Sequence, residues 1–295
     1  MELTITNLSK RFKDKTAVKD VSLTLTPGVW GLLGANGAGK TTLMRMIADI
    51  LNPTSGKILL DGKSIHAMGE EYRNLFGFLP QDFGFFQGFT VKDYLEYVAA
   101  LKDVPARETR KKIDSLLHTL TLTDVKNKKV IKLSGGMKRR VGIAQAMLND
   151  PKILIMDEPT AGLDPGERVR FRNFISEFSH NRIVLISTHI VSDIEYISTK
   201  NAVMKAGKIL DVGTTDELVK LAAGKVFTCT VPADRMPMYE VQLRIINQRN
   251  EGNNQVSIRY LADEARTNDS VLVPPRLEDL YLWLFPQEDS IKEEK

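Results

Sequence analysis

Cysteine is almost absent from this chain, since Cys229 is the only one among its 295 residues. An intrachain disulfide and a cysteine-ligated zinc site both need more than one thiol, so both are excluded, and a reducing compartment fits this composition. Long apolar runs are also missing: none approaches the roughly 18 residues that a membrane-spanning helix needs. The segment from Met1 to Phe12 lacks the apolar core of a signal peptide. We therefore expect any role at a membrane to be peripheral.

Positive charge is only slightly in excess, because 41 basic and 37 acidic residues leave a formal net charge of +4. A modest basic face for a nucleotide or an anionic lipid is one interpretation, and a nearly balanced solvated surface is the favoured one. The sequence has no basic tail of the kind that binds nucleic acid, so no nucleic-acid partner is expected. The length suits one large domain with a small appendage, or two domains.

What the sequence does contain is a glycine-rich segment between the apolar run Val29 to Leu33 and a predicted helix, Thr41 to Leu51. It matches the P-loop pattern G-x-x-x-x-G-K-[ST], in which backbone N–H groups and the following helix N-terminus face phosphate oxygens. Lys40 can reach the β- and γ-phosphates of a nucleotide, and the Thr41 hydroxyl can bind Mg²⁺. The candidate nucleotide-binding residues of this loop are Gly34, Asn36, Gly37, Gly39, Lys40, Thr41 and Thr42.

Two acids follow a second apolar run, Ile153 to Met156, and supply the other half of such a site. Asp157 is a candidate for holding Mg²⁺ through water, and Glu158 is a candidate general base for the attacking water. The alternative is a strand that simply ends in two acids, but a P-loop needs a partner of this kind.

Periodicity divides the chain into strand-rich and helix-rich segments. Alternation in Glu2 to Leu8 and Val21 to Leu25 predicts half-buried strands at a sheet edge. Continuous apolar runs at Ile153 to Met156 and Ile183 to Ser187 predict parallel strands that are buried on both faces. Ahead of these two runs, residues 82 to 150 have a helical pattern, with candidate helices at Val91 to Leu101, at Arg107 to Leu120 and around Met137.

The pattern changes again after Gly224, where we place a domain boundary. Val241 to Asn247 and Gln255 to Leu261 predict a hairpin around the polar turn Gln248 to Asn254, and Leu277 to Leu284 predicts a short helix. The last residues, 287 to 295, are charged and are expected to be frayed.

Further motifs complete a resemblance to the ATP-binding cassette (ABC) family over residues 1 to about 220. Leu133-Ser-Gly-Gly-Met137 resembles the family signature, and Ala161-Gly-Leu-Asp164 resembles the D-loop. Gln81 resembles the Q-loop glutamine, His189 the switch histidine and Phe12 the aromatic residue that stacks on adenine. The resemblance implies the α/β fold class: a P-loop NTPase core with an antiparallel β subdomain, an inserted helical subdomain at about 82–150, and a small C-terminal α+β extension. The expected domains are 1–224 and 225–295.

The same resemblance implies an ATPase that uses ATP and Mg²⁺. Its implied catalytic residues are Glu158, His189, Lys40 and Gln81; its nucleotide contacts include Phe12, Ser134, Gly135 and Gly136; and its Mg²⁺ ligands are Thr41, Gln81 and Asp157. Taken alone, Ser134-Gly-Gly would indicate a plain helix cap, and His189 a structural histidine. The implied partners are a second copy of the chain, in a head-to-tail dimer with two ATP molecules between the copies, and an integral-membrane transporter subunit on a separate chain. The expected location is the cytoplasmic face of the cell membrane.

Two departures from the family pattern bear on the site: Met137 stands where many members have glutamine, and Phe12 replaces the commoner tyrosine. The segments Ser134 to Val141 and Pro275 to Leu280 look like the exporter branch that includes antibiotic and drug-resistance ATPases. A soluble ABC protein acting on DNA or ribosomes is the alternative function, although the helical insertion is short and only one cassette is present. A module that binds ATP without turnover is a third, disfavoured by the intact catalytic residues.

Four phenylalanines lie close together just after Gln81: Phe83, Phe85, Phe86 and Phe89. A loop so rich in aromatics either folds inward or presents an apolar patch. The resemblance implies that a groove beside the Q-loop receives the membrane partner. These four phenylalanines are therefore predicted to help form the socket for that partner, and packing between the two subdomains is the open alternative for some or all of them.

Overall fold

The computed structural model describes residues 1–286 of the chain, and the segment 287–295, expected to be frayed, lies outside them. The described strands form three sheets. In chain order the strands are β1 (Leu3–Phe12), β2 (Lys15–Leu25), β3 (Gly28–Leu33), β4 (Ser55–Leu60), β5 (Lys63–Ser64), β6 (Phe76–Leu79), β7 (Ile153–Asp157), β8 (Ile183–Thr188), β9 (Lys200–Lys205), β10 (Lys208–Gly213), β11 (Val226–Pro232), β12 (Arg244–Gly252), β13 (Gln255–Leu261) and β14 (Val271–Leu272).

The α-helices are shorter than a bilayer is thick, and within residues 1–286 none is long and apolar enough to cross a membrane. In chain order they are α1 (Lys40–Ile47), α2 (Ile65–Met68), α3 (Glu70–Asn74), α4 (Val91–Leu101), α5 (Ala106–Thr119), α6 (Gly135–Met147), α7 (Pro165–Phe178), α8 (Ser192–Glu195), α9 (Thr215–Val219), α10 (Met236–Gln242) and α11 (Leu277–Leu284).

The central sheet has the strand order β10-β9-β3-β8-β7-β6. Strands β3, β6, β7, β8 and β9 are parallel, and β7 and β8 are buried along their whole length, as their apolar runs predict. The register pairs Leu33 with Thr188 and Asp157 with Ser187, and β6 ends with Leu79 opposite Met156. The segments that follow β3, β6, β7 and β8 therefore leave the sheet at one edge.

The second sheet is antiparallel along β1 and has the order β2-β1-β4-β5. Strand β2 is at its edge, as predicted. The prediction was wrong for β1, because β4 pairs along its other side and makes it an inner strand. Strand β1 also extends to Phe12, so this residue ends a strand and does not follow one.

Three helices, α4, α5 and α6, lie between β6 and β7 in the chain and make up the inserted helical part. Helix α4 has the bounds that the sequence predicts. A capping box at its start explains the sharp boundary: the Asp93 N–H donates to Thr90 Oγ1 at 3.1 Å, and the Thr90 N–H donates to Asp93 Oδ2 at 3.1 Å.

The chain divides into two compact units, Met1–Val212 and a second unit from Gly213 onward. The sequence places the boundary later, near Gly224. The helical turns between these positions belong to the second unit because α9 and the 3₁₀ turn Lys220–Ala222 pack against α11. The second unit is built on an antiparallel sheet of order β12-β13-β11-β14, with a small apolar core that includes Phe227 and Tyr260.

The predicted hairpin is present as β12 and β13, but its bounds differ from the prediction. Val241 is in helix α10, and β12 begins only at Arg244. The strand then continues to Gly252, through most of the segment predicted as a turn, and the turn itself is Asn253-Asn254, with φ values of 48° and 58°. Strand β12 is at a sheet edge and its second half is exposed, so polar residues there indicate a solvated edge strand.

Candidate active site

The glycine-rich segment forms a tight loop between β3 and α1, and two of its glycines have no room for a side chain. A Cβ at Gly34 would come within 2.4 Å of the Met204 carbonyl oxygen. A Cβ at Gly39, where φ is +108°, would come within 2.3 Å of the Ala17 carbonyl oxygen. Asn36 and Gly37 are exposed at the tip of the loop, and Thr42 is half-buried in the first turn of α1. The loop therefore offers its backbone to a ligand, as a phosphate cradle must.

Lys40 is buried at the start of α1. Its Nζ donates to the carbonyl oxygens of Gly34 at 2.7 Å and Ala35 at 3.1 Å, within the same loop. Burial lowers the pKa of the Lys40 ammonium, while the Glu158 and Asp157 carboxylates raise it. The cation thus lies in the field of both acids that follow β7.

Thr41 and Asp157 join the loop to the end of β7. Thr41 Oγ1 donates to Asp157 Oδ2 at 2.6 Å, and Ser187 Oγ donates to Asp157 Oδ1. Asp157 is only 2% exposed, and its carboxylate faces the glycine loop. A hydroxyl oxygen beside a carboxylate oxygen, next to a phosphate cradle, is the donor set that Mg²⁺ takes in nucleotide sites, so these residues fit the ion.

Glu158 follows directly and contacts His189. His189 Nδ1 lies 2.9 Å from Glu158 Oε1, and the two residues follow the neighbouring strands β7 and β8. Glu158 has a positive φ of 52°, and its N–H donates to the Ser187 carbonyl oxygen at 3.0 Å. The turn that follows β7 therefore directs the Glu158 carboxylate toward the exposed imidazole at the same sheet edge.

Two other sequence-predicted residues are exposed at the ends of strands. Gln81 lies two residues beyond β6. Phe12 ends β1 and is 45% exposed, with Lys10 Nζ 5.3 Å from the centroid of its ring. The contacts above pair Thr41 with Asp157 and Glu158 with His189, and Lys40 lies in the field of both acids. Phe12 is on the antiparallel sheet. Phe12 has an exposed ring with which an adenine could stack.

The signature segment forms the start of α6. Ser134 is the N-cap, and its Oγ accepts the Met137 N–H at 3.2 Å. Gly135 is exposed with open space around its Cα. A Cβ at Gly136 would come within 2.6 Å of the Gly162 carbonyl oxygen, so the signature packs directly on the D-loop of the same chain. The first N–H groups of this 13-residue helix are a suitable contact for an anion.

Sequence reasoning missed two residues that organise this edge, Ser187 and Arg139. Ser187 donates to Asp157 from the neighbouring strand. Arg139 is buried on α6, and its guanidinium donates to backbone carbonyls at the ends of β6 and β7. The sequence holds no specific signal for Arg139, because it is the middle one of three consecutive cations, Lys138 to Arg140.

The aromatic loop after Gln81 divides into two groups. Phe83 packs inward, with its ring 6.2 Å from Tyr94 and so close to Gly142 that a Cβ there would come within 2.7 Å. Phe86 is 56% exposed; its ring centroid lies 5.1 Å from that of Phe89, in a tilted contact, and 5.4 Å from that of Tyr97, in an edge-to-face contact. Packing therefore explains Phe83. Phe85 is half-buried beside it, with ring centroids 6.1 Å apart, and a partly exposed aromatic cluster of Phe86, Phe89 and Tyr97 remains.

A phosphate cradle with a buried lysine, joined through a threonine to two acids at the end of a parallel sheet, defines a P-loop nucleotide hydrolase. The family model described as ABC transporter matches residues 18–161. The Nod factor export ATP-binding protein I of Rhizobium sp. is 32% identical over 300 residues, covering 96% of this chain and 97% of that protein. The chain therefore belongs to the ABC transporter family, as an ATP-binding subunit with ATPase activity.

Two further comparisons agree with this assignment. The methionine import ATP-binding protein MetN of Corynebacterium diphtheriae is 38% identical over 213 residues, covering 70% of this chain and 63% of that protein. A solved ATP-binding subunit of an ABC transporter superposes with a TM-score of 0.69 at 26% identity, over 75% of this chain and 93% of that one. The relatives include proteins named for export and for import.

Proposed function

We propose that this chain hydrolyses ATP at the sheet edge described above in order to drive a transporter whose membrane-spanning subunit is a separate chain. The observation that carries the hydrolytic part is the hydrogen-bonded arrangement of Glu158 with His189 beside that of Thr41 with Asp157. The Glu158 carboxylate bonds to the His189 imidazole rather than to a lysine or arginine side chain, and a carboxylate in this setting can take a proton from water.

Each polar residue of this edge has a separate role in the proposal. The loop Gly34–Thr42 binds the phosphates, and Lys40 offsets the charge of the β- and γ-phosphates. Glu158 accepts the proton of the water that attacks the γ-phosphorus, while the bond to the β–γ bridging oxygen breaks and ADP leaves. His189 holds the Glu158 carboxylate through Nδ1.

Gln81, exposed beyond β6, is proposed to orient the water and to contact the metal ion. Thr41 and Asp157 would hold Mg²⁺, which when bound supplies positive charge to the phosphate oxygens. Phe12 is proposed to stack on the adenine.

The chain is proposed to act as a pair of copies with two ATP molecules between them. Ser134, Gly135 and Gly136 begin α6 with free N–H groups, but the contacts of Lys40, Thr41, Asp157 and Glu158 involve none of them. A second copy that supplies these residues to the first copy's nucleotide would complete each site.

The membrane partner is proposed to contact the cluster of Phe86, Phe89 and Tyr97. These rings pack on one another and leave Phe86 and Tyr97 exposed, which is unfavourable in water unless a partner covers them. The chain would then lie at the cytoplasmic face of the membrane.

Export is the proposed direction of transport. The Nod factor export relative aligns with 96% of this chain, a span that includes most of the unit that follows Gly213, whereas the methionine import relative aligns with 70%. Extended similarity beyond the ATPase unit supports the exporter branch over the importer branch.

Affinity purification of the tagged chain from detergent-solubilised membranes tests the proposal. An integral-membrane protein is expected to co-purify, and its presence in vesicles is expected to change the ATPase rate. Recovery with ribosomes or DNA and with no membrane protein would favour the soluble alternative. A matched preparation of Phe86→Ser is expected to retain ATPase activity but to lose the membrane protein.

A further inference from the structure

Arg139 is a buried cation whose guanidinium is bound by backbone oxygens. It lies in the second turn of α6 and is 6% exposed. Its Nε donates to the Glu158 carbonyl oxygen at 3.1 Å and its Nη2 donates to the Asp157 carbonyl oxygen. Its Nη1 donates to the carbonyl oxygens of Pro80 at 2.8 Å and Gln81 at 2.7 Å.

These four oxygens belong to two neighbouring segments, one following β6 and the other at the end of β7. The planar guanidinium has donors directed to opposite sides, so one side chain can hold both segments at a fixed separation. Arg139 thereby joins the peptide units of Gln81 and Glu158, the two residues proposed to handle the attacking water.

Glu158 needs such support because its φ is +52°. A side chain of this size rarely adopts the left-handed region, and such a conformation persists only where the surroundings hold it. Five hydrogen bonds do so: the Glu158 N–H donates to both the carbonyl oxygen and the Oγ of Ser187, the Ala161 N–H donates to the Glu158 carbonyl oxygen, and Arg139 binds the carbonyls of both Asp157 and Glu158. Two of the five come from Arg139, and these two link the turn to α6.

We propose that Arg139 is a positioning residue for hydrolysis, which holds the Glu158 backbone in its left-handed conformation and fixes Gln81 beside it. The inference rests on the proposed role of Glu158 as the general base. Arg139 is not proposed to bind the nucleotide, because its donors are directed to main-chain oxygens. The competing explanation is that Arg139 is only a structural brace, meaning that it stabilises the packing of α6 on the sheet and has no specific effect on Glu158.

A double-mutant cycle separates the two explanations. The variants are Arg139→Met, Glu158→Gln and their combination, measured as single-turnover hydrolysis at saturating Mg-ATP, with binding of a fluorescent ATP analogue in parallel. If Arg139 acts through Glu158, Arg139→Met slows hydrolysis about 10- to 100-fold alone, the scale found for groups that orient a functional ligand. In the Glu158→Gln background, Arg139→Met is then expected to slow hydrolysis by less than about twofold further, and the ATP affinity should stay within about threefold of the wild type.

An equal proportional loss in both backgrounds, or a parallel loss of ATP affinity, would overturn the proposal in favour of the brace. Lys102→Met is the matched control. Lys102 Nζ also holds groups at the end of the helical segment, Asn149 Oδ1 at 2.8 Å and the Ala146 carbonyl at 3.5 Å, without contact to β7. This variant is expected to lower the melting temperature and to leave the hydrolysis rate unchanged.

Amide hydrogen exchange without nucleotide provides a second readout that is independent of ATPase activity. Arg139→Lys keeps the charge but cannot span both segments, so the Glu158 N–H is expected to exchange at least about tenfold faster than in the wild type, with no change in Lys102→Met. Unchanged protection at Glu158 would overturn the proposal. If the wild type hydrolyses no ATP, the proposed function fails, whereas the exchange result still decides whether Arg139 holds the Glu158 backbone.

Discussion

Thr41 Oγ1 donates a hydrogen bond of 2.6 Å to Asp157 Oδ2 across 116 residues of chain. The contact ties the first turn of α1 to the end of β7, and Ser187 binds the other oxygen of the same carboxylate. Asp157 is thereby held in one orientation before any ligand is considered, which favours metal binding because little ordering remains to be done.

Asp157→Asn is expected to raise the Mg²⁺ concentration needed for half-maximal ATPase activity about 10- to 100-fold, because the amide can still accept the Thr41 hydrogen bond but lacks the charge. The measurement is ATPase rate against free Mg²⁺ at fixed ATP. Thr41→Ser keeps the hydroxyl and is the control, expected to stay within about threefold. An unchanged Mg²⁺ requirement in Asp157→Asn would remove Asp157 from the metal site.

Lys40→Ala is expected to lower ATP turnover by at least about 100-fold, because the removed cation faces the phosphates where charge develops. The fold should persist, since the two hydrogen bonds from the ammonium to loop carbonyls, worth about 1.5–3 kcal/mol each, are offset in part because a charge is no longer buried. Circular dichroism and ATPase assays on the same sample test both statements. Lys57→Ala, at an exposed position, is the control, and wild-type turnover in Lys40→Ala would refute the site.

Glu158→Gln is expected to give a stable ATP-bound dimer with turnover reduced by about two to four orders of magnitude, because glutamine keeps the shape but cannot take the proton. Size exclusion with Mg-ATP measures the dimer. Glu177→Gln, on the exposed face of α7, should remain like the wild type. A Glu158→Gln chain that stays monomeric at saturating ATP would need to be tested again with the membrane subunit, and failure there would reject the ATP sandwich.

Phe86→Ser is expected to weaken assembly with the membrane subunit while leaving the ATPase rate of the isolated chain unchanged, because this ring is exposed. Phe83→Ser is the matched comparison, because the Phe83 ring packs on Tyr94 and Gly142. This substitution should lower the free energy of unfolding, by less than the roughly 3–5 kcal/mol lost when a fully buried phenylalanine is truncated. Co-purification and thermal melting distinguish them. Unchanged assembly of Phe86→Ser would exclude this ring from the interface.

Removal of the second unit is expected to leave ATP affinity within about threefold, since every proposed nucleotide contact lies before residue 190. Chains that end at Val212 and at Gly224 should be compared, because α9 packs within the second unit. The chain that ends at Val212 is expected to have the higher solubility and melting temperature, because it leaves no helix without its packing partner. A large loss of affinity with the fold preserved would contradict this division.

Much of the ATPase unit could be predicted because its signals are local. A capping box fixes the start of α4, and the glycine pattern fixes the loop before α1. The second unit was harder for a physical reason: polar residues at Gln248 to Gly252 can form a loop or an exposed edge strand, and only pairing with β13 decides between them.

Within the site, the residues found from sequence are those whose chemistry is shown by their type and their neighbours in the chain, such as Lys40 and Asp157. Ser187 and Arg139 were missed because their partners are far along the chain: 30 residues separate Ser187 from Asp157, and 58 separate Arg139 from Gln81. A serine in a buried strand and an arginine on a helix have many uses, so only the three-dimensional contacts identify these two.

Gly136 and Gly162 bring the signature and the D-loop into direct backbone contact. A Cβ at Gly136 would overlap the Gly162 carbonyl, and Gly162 itself has a φ of 76° that few side chains tolerate. The two motifs thus form one packed surface, which is proposed to face the second copy. A side chain introduced at Gly136 should therefore displace the D-loop as well as the signature.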